Sequence, residues 1–207
     1  MTIAEEYNRW AGSYDSADNK TRDMEKSVAR KILSAYDFQN VIELGCGTGK
    51  NTDWLSRQAG SITAIDFSRE MLKIAKAKVS ERNVKFIQAD LNESWPVSNE
   101  SGDLIVCSLT LEHIRDLNFI FTEAKNKLVT GGLFYICELH PFKQYAGSKA
   151  KYNAEGKIVE LETFIHHFSE YVNSAFDNGF KLIRLDEWFD EDSVKTIPRL
   201  VSFLFKG

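Results

Sequence analysis

At 207 residues the chain has the length of one α/β domain and can bury a core of its own. Its formal net charge of −4 argues against DNA, RNA and anionic membrane surfaces as partners, because such binding draws much of its affinity from a basic field. No apolar run approaches the ~18–20 residues of a membrane helix, and Met1–Glu6 opens acidic, without a basic-then-apolar leader.

In chain order, Ser27–Tyr36 sets Val28, Ile32, Leu33 and Tyr36 at helical spacing. Asn40–Leu44 follows as a short buried-type strand, then the loop Gly45-Cys46-Gly47-Thr48-Gly49, then a helix over Lys50–Gln58. Ser61–Ile65 is a second strand ending at Asp66. Ser68 caps a helix that runs to about Ser80. Val84–Gln88 is a third strand closed by Asp90, and Asp103–Leu109 a fourth, apolar throughout as in a parallel sheet covered on both faces. A helix over Phe119–Leu128 stops at Gly131-Gly132, and Leu133–Leu139 is the fifth strand.

The last third breaks this alternation. Ser169–Asn178 reads as a helix, and Lys181–Trp188 and Arg199–Phe205 as strands. Their connection is too short for a parallel crossover, so the two are expected to be antiparallel neighbours. The expected architecture is a doubly wound, Rossmann-like α/β sheet of seven strands, mostly parallel with an antiparallel last strand, and helices on both faces. A single domain is expected over 1–207. Residues 140–168, with a hairpin-like turn at Tyr152–Gly156, form an insertion over the top of the sheet. Three widely spaced cysteines, Cys46, Cys107 and Cys137, fit buried free thiols, and cytoplasm is the expected address.

Open α/β sheets bind ligands outside the carboxyl ends of the strands, where strand order reverses. The glycine loop occupies that place, and Asp66 ends the next strand, where a carboxylate can accept from both hydroxyls of a ribose. Together they indicate an adenosine-bearing cofactor. A dinucleotide fingerprint needs glycine at position 50, which is Lys50; a P-loop needs glycine at position 44, which is Leu44. Both phosphate-binding readings fail on spacing.

Glu43-Leu-Gly-Cys-Gly-Thr-Gly49 resembles the glycine-rich motif of class I S-adenosylmethionine-dependent methyltransferases, closest to the type 11 group of ubiquinone- and biotin-pathway enzymes. The likeness extends to the aromatic segment Tyr7–Asp15, to Ala64-Ile-Asp-Phe-Ser68 and to Gln88-Ala-Asp-Leu91. It implies that Gly45, Gly47 and Gly49 line the methionine portion of S-adenosyl-L-methionine, that Glu43 sits below it and orients the loop or the cofactor's amino group, and that Cys46 and Thr48 bind the cofactor from the same loop, with Tyr14 against it. Asp66 would hold the ribose, Phe67 flank the adenine, and Asp90 and Leu91 meet its amino edge. Ser108 and Leu109 would end the fourth strand beside the sulfonium, with S-adenosyl-L-homocysteine as product.

Methyl transfer is an in-line displacement in which the protein aligns the reactants and excludes water, and a general base is needed only where the acceptor proton is tightly held. His113 and His140 are the candidate bases. Related quinone methyltransferases place a metal on Glu-x-x-Glu-His after this strand; Leu109 replaces the first glutamate, so no metal is expected. Phe142, Tyr145, Tyr152 and His166 are candidate acceptor contacts in the insertion. The expected acceptor is a small molecule methylated on oxygen or a carboxylate, with nitrogen open. Competing readings are a non-catalytic partner subunit, a protein or tRNA methyltransferase, and a nicotinamide dehydrogenase. Monomer and homodimer stay open.

Overall fold

The computed structural model describes residues 2–154, 156–190 and 197–207. Helix α1 (Ile3–Tyr14) starts at a capping box: Glu5 N donates to the Thr2 hydroxyl and Thr2 N to the Glu5 carboxylate. Helix α2 (Lys20–Leu33) is capped by Asn19, whose side chain accepts from Arg22 N. It begins seven residues before the helix expected at Ser27. Its first turns carry no apolar stripe because Arg22 and Glu25 are the residues they bury. Next come β1 (Asn40–Leu44), α3 (Thr52–Leu55), β2 (Ser61–Asp66), α4 (Arg69–Lys78), β3 (Val84–Gln88) and β4 (Gly102–Ser108). After a 3-10 turn at Leu111–His113 follow α5 (Leu117–Lys127), β5 (Leu128–Leu139), α6 (Pro141–Tyr145), β6 (Lys151–Ala154), β7 (Lys157–Glu160), α7 (Phe168–Asp177), β8 (Lys181–Trp188) and β9 (Leu200–Lys206).

The helix expected over Lys50–Gln58 shrinks to the single turn of α3. Asn51, at its N-cap position, spends its side chain elsewhere: Nδ2 on Glu25 and Oδ1 accepting from Trp54 Nε1. The glycine loop therefore runs on to residue 51.

Seven strands form one sheet in the order β3-β2-β1-β4-β5-β9-β8. Pairings from β3 through β5 are parallel, and β9 runs antiparallel to both β5 and β8. The short chain between β8 and β9 allows nothing else, as the sequence led us to expect. Strand order reverses between β1 and β4, which opens a crevice at their carboxyl ends.

Alternate residues of the central strands serve two cores. Ile42, Leu44, Ile105 and Cys107 join Phe121 of α5 and Tyr171 of α7 on one face. Val41, Leu104 and Val106 join Ile32 of α2, Trp54 of α3 and Leu72 of α4 on the other. Full burial of each such side chain is worth about 1.5–3 kcal/mol, so the middle of the sheet is a rigid base for its loops. β6 and β7 pair in a separate two-stranded ribbon. Tyr152 of β6 stacks on Trp10 of α1, centroids 5.6 Å from Trp10 to Tyr7 and 5.4 Å from Trp10 to Tyr152, so the ribbon leans on the N-terminal helix.

Candidate functional site

The crevice outside β1 and β4 is built by the glycine loop, the end of β2, the loop after β3 and the loop after β4. Gly45 has φ +65°, and a Cβ there would collide with the Thr110 side chain, so only glycine fits. Gly47 N donates to Asp66 Oδ2 at 2.8 Å, and Ser68 N to Asp66 Oδ1 at 2.8 Å. Each oxygen keeps a lone pair for a further donor. Burial pushes Asp66 up to about 6, against the pull of those two backbone N–H groups.

Beneath the loop, Glu43 Oε2 accepts from the Thr52 hydroxyl at 2.6 Å, and burial raises its carboxyl to about 8. Glu138 organises the opposite wall: its Oε1 accepts from Thr110 N and Leu111 N, each at 3.0 Å. Burial pushes Glu138 up to about 8 as well. Just before these two N–H groups Leu109 sits at φ +52°, a costly conformation for a residue other than glycine, and its own N–H donates to the Cys137 carbonyl at 2.9 Å.

Helix α1 closes the crevice from above. Asn8 Oδ1 accepts from the Ser68 hydroxyl at 2.8 Å and Glu70 N at 3.1 Å, and Thr48 Oγ1 donates to Asp15 Oδ1 at 2.7 Å. These ties seat Tyr7 and Tyr14 over the site and leave a space of about 90 Å³.

Of the residues expected at a cofactor, Tyr14, Glu43, Gly45, Cys46, Gly47, Thr48, Asp66, Phe67, Asp90, Leu91, Ser108 and Leu109 all line this crevice. Gly49 does not. Its φ is +79°, and a Cβ there would press within 3.2 Å of both Ala75 and Val79. It is glycine for turning and for packing on α4.

The structure places the two candidate bases differently. His113 lines the crevice, but its Nδ1 lies 3.0 Å from the Glu162 carbonyl, which can only accept, so Nδ1 carries the proton. Nε2 then accepts from the Tyr7 hydroxyl at 2.8 Å, and its lone pair is engaged. Burial lowers the His113 pKa and keeps the ring neutral. His140 is the N-cap of α6: Nδ1 accepts from Phe142 N and Nε2 donates to Glu187 Oε1 at 2.9 Å. It lines neither the crevice nor the cavity beside it.

None of the four expected acceptor contacts lines those two spaces. Phe142 and Tyr145 are about half exposed at 48% and 51%. The Tyr152 hydroxyl donates to Glu6, and buried His166 bonds the Ile114 carbonyl at 2.7 Å.

A second cavity, of about 470 Å³, adjoins the crevice and shares Tyr7, Tyr14 and Leu109 with it. Glu112 lines it, and Glu112 Oε2 is buried without a hydrogen-bond partner among the described residues. Burial raises this carboxyl to about 7, against the pull of Gln144. Sequence reasoning missed Tyr7, Lys50, Asn51 and Thr110 in the crevice and Glu112 in the cavity. Tyr7 carried a signal as the first tyrosine of the quoted aromatic segment, and Glu112 as the acid that, with His113, matches the end of Glu-x-x-Glu-His. Among the described residues no group of three or more His, Cys, Asp or Glu could hold a metal ion, and no helix is long and apolar enough to cross a membrane.

Comparison with known proteins agrees with this geometry. A family model described as a methyltransferase domain, type 11, matches residues 42–136. The malonyl-[acyl-carrier protein] O-methyltransferase of Bacillus anthracis is 30% identical over 140 residues, covering 63% of this chain and 50% of that one. The demethylmenaquinone methyltransferase of Tropheryma whipplei is 27% identical over 145 residues, covering 67% and 60%. The chain thus spans about half the length of the first of the curated relatives it matches. Among solved structures, the DhpI–SAH complex superposes with a TM-score of 0.76 at 21% identity, over 98% of this chain and 93% of that one. Motif, strand order and family match converge: residues 42–136 match the methyltransferase-domain family, in a chain that has the fold of S-adenosylmethionine-dependent methyltransferases.

Proposed function

We propose that the chain binds S-adenosyl-L-methionine in the crevice between β1 and β4 and methylates a small-molecule acceptor, on oxygen in preference to nitrogen. The observation that carries this reading is Asp66. It is a buried carboxylate fixed by two backbone N–H groups, with lone pairs left over, beside a glycine loop whose Gly47 offers open space where a Cβ would stand. That arrangement suits a ribose diol lying across the loop.

In this reading Phe67 and Leu91 flank the adenine and Asp90 accepts from its amino group. Cys46 and Thr48 contribute backbone to the loop, and Tyr14, Ser108 and Leu109 surround the sulfonium. When bound, the cofactor supplies an electrophilic methyl group. The protein's part is alignment, exclusion of water and, for a hydroxyl acceptor, custody of a proton. Glu112 suits that last task better than either histidine, since His113 Nε2 is engaged by Tyr7 while Glu112 Oε2 has no hydrogen-bond partner among the described residues. Segment 140–168 then acts as a lid whose lysines, not its aromatics, face the acceptor. Three buried free cysteines favour a reducing compartment, and we place the reaction in the cytoplasm.

Calorimetry with S-adenosyl-L-homocysteine tests the first half, with saturable one-site binding expected. A screen of small acceptors with methyl-labelled cofactor tests the second. Binding without turnover on any acceptor class would favour the partner-subunit reading, and no binding at all would refute the proposal.

A further inference from the structure

Five cations and two acids line the second cavity: Lys20, Lys143, Lys149, Lys151 and Arg199 against Asp18 and Glu112. Two of these cations are already balanced. Arg199 presents Nε and Nη2 to Asp190 and donates from Nη1 to Thr21 at 3.0 Å, and Lys149 lies 3.4 Å from Glu160. Lys20, Lys143 and Lys151 make no close ion pair among the described residues, and Lys143 and Lys20 act on Asp190 only at longer range, each helping to lower its pKa. They arrive from three separate elements, α2, α6 and β6, and converge on one space of about 470 Å³. In a chain of net charge −4 such a local excess runs against the overall balance. None of the five lines the cofactor crevice.

We infer that this cavity takes an anionic acceptor, a small molecule bearing a carboxylate or a phosphate group, and that Lys20, Lys143 and Lys151 hold its anion. This rests on the methyltransferase reading above and narrows its substrate class. Ammonium groups on flexible stems from three elements can close on an oxyanion of either kind, and a local excess of one sign of charge concentrates the opposite one. The acceptor's other end would reach toward Tyr7 and Leu109, which the two spaces share.

The test uses the full chain, with inorganic phosphate and benzoate as separate probes, each titrated with and without saturating S-adenosyl-L-homocysteine. Saturable binding of at least one probe, undisturbed by the homocysteine compound, is expected, and the tighter probe identifies the anion class. Lys143→Ala/Lys151→Ala is expected to weaken that binding about tenfold, the scale of losing charge-assisted contacts. The same variant should keep the wild-type melting temperature and affinity for S-adenosyl-L-homocysteine. Lys20→Glu gives an independent second variant should the double one fold poorly. Neither probe binding, equal binding by the variants, or displacement of the probe by S-adenosyl-L-homocysteine would overturn the inference; displacement would assign the lysines to the cofactor's own carboxylate. Failure of S-adenosyl-L-homocysteine to bind is a separate result, which sinks the methyltransferase reading itself.

Discussion

The Tyr7 hydroxyl and His113 Nε2 meet at 2.8 Å, joining the N-terminal helix to the loop after β4 across the mouth of the crevice. Because the Glu162 carbonyl fixes the proton on Nδ1, this contact has one polarity, tyrosine donating and histidine accepting. His113→Ala leaves a buried Tyr7 hydroxyl without its acceptor and is expected to cost about 1–3 kcal/mol of stability. The double variant Tyr7→Phe/His113→Ala should cost less than the sum of the singles, because the stranded hydroxyl is gone. Urea denaturation of the four proteins checks this; strict additivity would mean the bond contributes nothing.

A ribose-binding Asp66 must be ionised to accept from two hydroxyls, yet burial holds its carboxyl up at about 6. Affinity for S-adenosyl-L-homocysteine is therefore expected to strengthen as pH rises through about 6. Asp66→Asn should weaken binding by about 1–3 kcal/mol and flatten this profile. Calorimetry between pH 5 and pH 8, roughly the range over which such a group titrates, reads both effects. A wild-type affinity independent of pH would remove Asp66 from the role.

The strands and the glycine loop were legible because contiguous apolar runs and a spaced motif lie within the chain itself. Asp66 and Asp90 were legible as strand ends. What was not legible is what depends on pairs distant in sequence. The first half of α2 hides its buried face because that face is Arg22 and Glu25, whose partners, Tyr14 and Lys50, lie on other segments. On the acceptor side the cavity lining differs from the residues singled out in the sequence, for a simpler reason. In the insertion the large aromatics drew attention, but on β6 Tyr152 turns to Trp10 while its neighbour Lys151 lines the cavity. Alternation along a strand puts successive side chains on opposite faces, and a pick off by one inverts the chemistry. On α6 the same happens with exposed Phe142 and cavity-lining Lys143.

Glu138 carries two backbone N–H groups of the post-β4 loop while burial holds its carboxyl at about 8. A carboxyl whose folded pKa lies above its unfolded value keeps a proton that the unfolded chain releases. Its contribution to stability is thus complete below about 4.5 and is lost as pH rises toward about 8. Glu138→Gln keeps an acceptor oxygen and removes the titration. It should be near neutral in acid and relatively stabilising in mild alkali, measured as the difference in melting temperature from wild type at each pH. A constant difference across that window would place the Glu138 titration outside it.

With Tyr7 and Tyr14 seated, the crevice holds about 90 Å³, whereas ligand pockets run to about 300–1,000 Å³. Entry of an adenosyl compound is therefore expected to involve movement of α1. The helix is joined to the body by side-chain contacts such as Asn8 to Ser68 and Asp15 to Thr48, not by a strand ladder. Such elements open at less than the global unfolding free energy. Amides of Ile3–Tyr14 are therefore expected to exchange faster than those of β1 and β4 in the free protein, and to slow markedly when S-adenosyl-L-homocysteine is added. Hydrogen exchange by mass spectrometry reads both states directly. Protection in α1 equal to that of the central strands before ligand addition would show that entry takes another route, through the lysine-lined cavity that shares Tyr7 and Leu109 with the crevice.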